Sequence, residues 1–287
     1  MKGNESALTG VFAPADMPEQ RYHALPHTSR SDLNLVLRSP QHYRQSKGFP
    51  EKATPAMILG SAIHQQVLEP ERGDIAVVPE TINRRTKVGR EEYATWMEEH
   101  AGEIVLSQAD AHTVKEIVKA VHSVPAAKAL LLDDTEREYS YFHRDRLTKL
   151  LCRNRNDAGN PETGMLSDLK STADCTSFGT SIFKFRYHMQ AAVYLDWTNE
   201  TLRQIDMEPR YDKFSFVAVE KTPPYGILAG VLDAEDIERG RQAYQRAMRR
   251  LSWCLENDRW PGYSAVVQGI SLPGWARRQH DEEMGEL

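Results

Sequence analysis

Residues 165–170, MLSDLK, constrain this chain more than any other stretch. They read as a short strand ending in polar turn residues, with Ser167-Asp168-Leu169-Lys170 at its centre. Side chains alternate across a strand, so Asp168 and Lys170 project from one face and Leu169 from the other. An apolar residue then anchors the strand to a core, while a carboxylate and an ammonium stand side by side at its end. Two more strand patterns precede it, residues 136–142 (EREYSYF) and 149–155, and the three read as a meander. Asp157 follows the second strand. A hairpin loop around Ala158-Gly159-Asn160-Pro161 is predicted to bring Asp157 and Asp168 together at one sheet edge. Two carboxylates and a lysine there suit a Mg²⁺ ion that activates water against a phosphodiester.

Other residues have two readings each. In residues 55–68, PAMILGSAIHQQVL, the positions Met57, Gly60, Ser61, His64 and Leu68 share one helical stripe. His64 is either a half-buried core histidine or a group with room for something to approach, since two small residues lie one turn before it. A helix is predicted over 177–197, where Arg186, Gln190 and Tyr194 recur at i+4 with Tyr187 beside them. That stripe either contacts phosphate and water or is the ordinary boundary of an amphipathic helix. Glu138 is a third acid of the site or an exposed strand carboxylate. Arg144, Arg146, Lys149, Arg153, Arg155, Lys184 and Arg186 surround the hairpin, as phosphate contacts or as solvated charges.

Elsewhere the sequence organises rather than reacts. Residues 1–20 read as a mobile leader, and 28–46 as two short helices, the first capped by Ser31 and the second started by Ser39-Pro40. Residues 71–132 read as a helical elaboration, with helices over 90–100, 108–121 and 126–132 and a basic loop over 83–89. Ser107 and Asp110 open the second of these like a capping box. Strands over 213–220 and 226–231 lead to a long helix from Asp233 to about Asn257, and 266–287 form a charged tail. No run of eighteen apolar residues predicts a membrane span, and the start of the chain lacks the apolar core of a signal peptide. Three widely spaced cysteines, Cys152, Cys175 and Cys254, read as free thiols of a cytosolic protein. A net charge of −5 excludes a bulk polycation and leaves room for a local basic track.

Asp157, then Asp168-x-Lys170, then Gln190-x-x-x-Tyr194, in the order helix, meander, helix, strands, resemble the PD-(D/E)XK nuclease superfamily and its RecB-like branch. More closely, SRSDLNLVLRSPQHY, GSAIHQQVLEP, EYSYF, LLCRNRND, LSDLKSTAD, FRYHMQAAVYLD and WPGY resemble the exodeoxyribonuclease VIII (RecE) nuclease domain of prophages. The resemblance implies an α/β fold: a PD-(D/E)XK core of central mixed sheet flanked by helices, with helical elaborations, over residues 21–265. It implies that His64, Asp157, Asp168 and the Leu169 carbonyl hold Mg²⁺, for which Mn²⁺ substitutes. Lys170 would then polarise water or neutralise the phosphate, Glu138 would sit near the metal, and Gln190 and Tyr194 would position the scissile strand. Arg153, Arg155, Arg186 and Tyr187 would join Gln190 and Tyr194 in contacting DNA. One departure is Asn156, where the family usually has Pro.

By the same resemblance, the expected activity is Mg²⁺-dependent exonuclease action on linear double-stranded DNA, 5′ to 3′, leaving 3′ overhangs for a phage annealing protein. A homo-oligomer, expected to be a tetramer, would act in the cytoplasm of a bacterial host. The alternatives are a catalytically silent DNA-binding or assembly module of the same fold, and an endonuclease of the same fold.

Overall fold

The computed structural model describes residues 8–49, 53–73 and 75–285. The chain enters through strand β1 (Gly10–Phe12) and helices α1 (Glu19–Ala24), α2 (Arg30–Arg38) and α3 (Pro40–Gly48). Val11 pairs with Tyr141 and Met17 is fully buried, so residues 8–20 are not a loose leader. Residues 1–7 lie outside the described residues. The cap of α2 is Ser29, not Ser31. The acid three residues on, Asp32, accepts from the Ser29 amide while the Ser29 hydroxyl accepts from the Asp32 amide, closing a capping box. Pro40 occupies the first turn of α3, where its missing N–H costs nothing.

Thr54 caps α4 (Pro55–Leu68), whose bounds match the sequence pattern. The elaboration then contains β2 (Ile75–Val77), α5 (Lys87–Glu99), β3 (Ile104–Leu106), α6 (Gln108–Ser123) and α7 (Pro125–Leu131). It is not helical throughout, because β2 and β3 pair in parallel. Helix α5 begins inside the expected loop because the Thr86 hydroxyl accepts from the Gly89 amide.

The meander follows as β4 (Glu136–Arg144), β5 (Leu151–Asn160) and β6 (Met165–Thr172). Strand β5 runs past the expected loop. The Asn160 carboxamide oxygen accepts from the Glu162 and Thr163 amides, each at 3.0 Å, which starts the turn only after Asn160. Gly164 completes that turn at φ +71°, a conformation that suits glycine. Asp157 therefore lies inside a strand.

After β6 come α8 (Phe178–Lys184) and α9 (Tyr187–Gln204), then β7 (Lys213–Glu220), β8 (Ile227–Val231), α10 (Ala234–Asn257) and α11 (Gly274–Gly285). The continuous helix expected over 177–197 is broken at Arg186, which adopts φ +53°. That left-handed residue costs roughly 1–2 kcal/mol. The Arg30 guanidinium offsets it by donating to the Phe185 and Arg186 carbonyls.

The described residues build a six-stranded mixed sheet in the order β1-β4-β5-β6-β7-β8, in which β6 and β7 are parallel and the other neighbours antiparallel. The α8–α9 segment is the crossover that a parallel pair requires. Strand β7 alternates cleanly: Phe214, Phe216 and Ala218 pack in the core shared with α9 and α10, and Val217 and Val219 in the core shared with α4, α6 and α7. Leu166 and Leu169, both fully buried, divide β6 between the same two cores. Burying such a side chain contributes roughly 1.5–3 kcal/mol. Helices α9 and α10 cross closely at Gly240, where a Cβ would lie 2.1 Å from the His188 carbonyl oxygen.

Candidate active site

The paired residues of β5 and β6 are Asn160 with Met165, Gly159 with Leu166 and Ala158 with Ser167. The next step would join Asp157 to Asp168, and there the strands part. Asp157 bridges the fork, since its Oδ2 accepts from the Leu169 amide at 2.8 Å. An extended residue turns its N–H and C=O to the same side. The Leu169 carbonyl therefore opens into the fork, the side that a ligand role would need.

Three elements converge on this fork. His64 of α4 places Nδ1 3.3 Å from Asp157 Oδ2. Its stripe with Met57, Gly60 and Ser61 lines an open cleft of about 550 Å³ that also contains Glu138, Asp157 and Tyr194. From β4, Glu138 stands between the paired Arg137–Ala158 and Tyr139–Asn156, at φ +55°, a rare backbone state for a residue with a side chain. One donor atom each from His64, Glu138 and Asp157 lie within 4.8 Å of one another.

Asp168 and Lys170 share the face of β6 that looks at α9. Lys170 Nζ pairs with Asp168 Oδ2, and the Gln190 amide donates to Asp168 Oδ1. Helix α9 presents Tyr187, Gln190, Tyr194 and Thr198 at helical spacing. Lys170 Nζ lies 5.0 Å from the Tyr187 ring centre, and Thr198 accepts from Asn154 at 3.0 Å and from Asn156 at 2.9 Å. Asn156, where the resembled family has Pro, is buried in mid-strand and is held by Thr198 and Asn154. The residue preceding Asp157 is thus fixed by hydrogen bonds rather than by a ring.

Burial and the facing charge of Asp157 push the Asp168 carboxyl up to about 6 against the pull of Lys170. Burial, with Asp157 and Glu69, raises Glu138 well above the usual carboxylate range. Burial likewise raises the Tyr194 phenol, which stays a proton donor. Acids crowded this way are relieved by a cation. Oxygen donors from Glu138, Asp157 and the Leu169 carbonyl, with one imidazole, match a small divalent ion that keeps part of its water. The donor set fits Mg²⁺ or Mn²⁺.

The expected DNA contacts fall in different places. Arg153 is buried; its guanidinium donates to the Tyr22 and Leu25 carbonyls and lies 4.7 Å from the Tyr22 ring centre. Its hydrogen bonds give it a structural role, and it also borders the cleft. Arg155 donates to Ser140 Oγ and the Met17 carbonyl, and it lines the cleft. Arg186 and Tyr187 border a second groove beyond the cleft, and Gln190 is buried against Asp168. Reading 28–46 as packing alone misses Arg30, which lines both cleft and groove. Glu69 is also missed, because its effect on Glu138 depends on where α4 ends. Cys152 and Cys254 are buried, Cys175 is half-buried, and all three are free.

Residues 29–272 match the model of a family described as a PDDEXK-like domain of unknown function (DUF3799). No curated protein matches. Among solved structures, a protein of Eubacterium rectale named "Putative exonuclease" superposes with a TM-score of 0.56 at 14% identity, covering 91% of this chain and 96% of that one. At that identity the likeness speaks to the fold alone. The structure of SSO0001 gives a TM-score of 0.29 at 12% identity, covering 68% of this chain and 87% of that one.

Proposed function

This chain belongs to the DUF3799 family of PDDEXK-like domains, and from that premise we propose that it is a Mg²⁺-dependent exonuclease on linear double-stranded DNA. The observation that carries the reading is the convergence of His64, Glu138 and Asp157 donor atoms within 4.8 Å at the fork where Lys170 meets Asp168. His64, Glu138, Asp157 and the Leu169 carbonyl would hold the ion, with Asp168, engaged by Lys170 and Gln190, at its margin. A bound divalent ion supplies positive charge for the scissile phosphate and makes a nearby water more acidic.

The protein's own groups do the rest. Lys170 carries a positive charge to the place where the phosphate gains negative charge in the transition state, in a site screened from bulk water. Asp168 holds that ammonium on one oxygen while Gln190 fixes the other, so the carboxylate cannot rotate out of the fork. Tyr194 offers a phenolic proton to a phosphate oxygen at the cleft wall. P–O cleavage by water leaves a 5′-phosphate on each product.

The finer parts rest on the resemblance to exodeoxyribonuclease VIII: action from 5′ ends, 3′ overhangs passed to an annealing protein, a homotetramer that encloses DNA, and the cytoplasm of a bacterial host as its place of action. The name exonuclease borne by the Eubacterium rectale neighbour is of the same class. No helix among the described residues is long and apolar enough to cross a membrane.

The test is digestion of a linear duplex labelled at its 5′ or 3′ ends, in Mg²⁺ or in EDTA, beside a covalently closed circle. Early Mg²⁺-dependent loss of the 5′ label with the circle intact is expected. A cut circle makes the protein an endonuclease, and no cleavage in Mg²⁺ or Mn²⁺ refutes the nuclease reading.

A further inference from the structure

Beside the cleft, an open groove of about 600 Å³ lies between α2, the α8–α9 break and the segment after α10. Its lining carries four cations, Arg30, Arg38, Lys184 and Arg186, and no acid among the described residues. The chain's net charge is −5, and elsewhere Arg146, Arg239 and Arg241 sit beside carboxylates. None of the four lies within ion-pair distance of a carboxylate among the described residues. Aromatic rings interleave with them. Phe185 is 47% exposed and Tyr263 is 74% exposed, fractions that place apolar faces in water. Arg38 donates to the Tyr263 hydroxyl at 3.2 Å, and Lys184 Nζ lies 5.4 Å from the Phe185 ring centre.

The groove is continuous with the cleft. Arg30 lines both, and Tyr187, which borders the groove, carries Lys170 over its ring. The two aromatic positions are held in place. Phe185 sits at the helix break that Arg30 pins through its carbonyl, and Tyr263 packs on His42 with ring centres 5.4 Å apart.

We propose that this groove binds a single strand of DNA, and that its backbone tracks the four cations while its bases stack on Phe185 and Tyr263. Cations alone would serve a duplex equally well. Exposed ring faces favour unpaired bases, because bases within a duplex already stack on each other. The proposal rests on the nuclease reading for its biological sense, since it gives a strand leaving or entering the metal site a path of its own. Binding itself needs no cleavage.

The test uses the full chain in EDTA and a short fluorescein-labelled oligothymidylate, read by anisotropy, beside a blunt duplex of equal length. Phe185→Ala is expected to weaken the single strand on the order of tenfold or more, with the duplex little changed. Phe185→Tyr, which keeps a flat ring, is expected to restore it. Charge reversal at Arg38 and Lys184 together is expected to lower the slope of log affinity against log salt by about 1.4. All these side chains are exposed, so melting at the wild-type temperature is the check on folding. Absent single-strand binding by the wild type, unchanged binding by Phe185→Ala, or equal loss for single strand and duplex would each overturn the proposal. A protein that binds the strand yet cuts nothing in Mg²⁺ refutes the nuclease and leaves the groove standing. One that cuts, with groove variants binding as wild type, does the reverse.

Discussion

The cleft and the groove are neighbours that share Arg30, yet the cleft mixes both charge signs and the groove carries one. The cleft sets acids among arginines: Glu69, Glu138 and Asp157 line it beside Arg30, Arg153 and Arg155, Asp168 is buried behind them, and burial drives two of these carboxyls upward. The groove carries four cations and three rings with no acid among the described residues, and it is open to water. Acids crowded at a half-buried fork call for a metal ion, and chemistry on phosphate follows from that. Cations beside exposed rings call for a polyanion with flat faces. A chain of net negative charge can thus gather an acidic cluster and a purely basic groove side by side, with no bulk attraction for nucleic acid.

Variants separate the two regions. The largest effect is expected for Lys170→Ala or Asp168→Asn, each lowering Mg²⁺-dependent cleavage of linear duplex by about a thousandfold. Oligothymidylate binding in EDTA should hardly move, and loss of both together would erase the distinction between cleft and groove. Gln190→Ala is next. It frees one oxygen of Asp168 and should weaken Mn²⁺ binding, read as thermal shift against Mn²⁺ concentration, by about 10- to 100-fold. A smaller effect is expected for Arg38→Glu alone: a several-fold loss of single-strand affinity with an unchanged Mn²⁺ response. Arg153→Ala is the structural control at the buried edge of the cleft. It strands the Tyr22 and Leu25 carbonyls, so it should lower stability by about 2 kcal/mol in urea unfolding and leave the salt slope of DNA binding alone.

Much of the cleft was legible in the chain. A period of two put Asp168 and Lys170 on one face and Leu169 in the opposite core, and helical spacing brought Gln190 and Tyr194 to the same wall. The PD-(D/E)XK core, a mixed sheet with helices on both sides, followed from the order of motifs. Other parts were not legible, because they depend on contacts distant in sequence. Arg30 reads as an ordinary helix residue until the chain folds its guanidinium onto Phe185, 155 residues away. The break at Arg186 has no glycine or proline to announce it and exists because that guanidinium takes up its carbonyls. Asp157 looked like a loop residue, since Gly159, Asn160 and Pro161 are all turn formers. The Asn160 side chain moved the turn beyond it. Arg153 looked like a phosphate contact because charge in a sequence carries no sign of burial. The strand β1 was hidden by its length of three residues.

The account stands on the fork between β5 and β6 being a hydrolytic metal site. The most direct test is cleavage of a linear duplex by the wild-type protein and by Lys170→Ala, in Mg²⁺ and after EDTA, with both proteins melting as folded chains. Cleavage is expected only from the wild type and only with the metal. Cleavage that survives EDTA, or that Lys170→Ala retains in full, would contradict it.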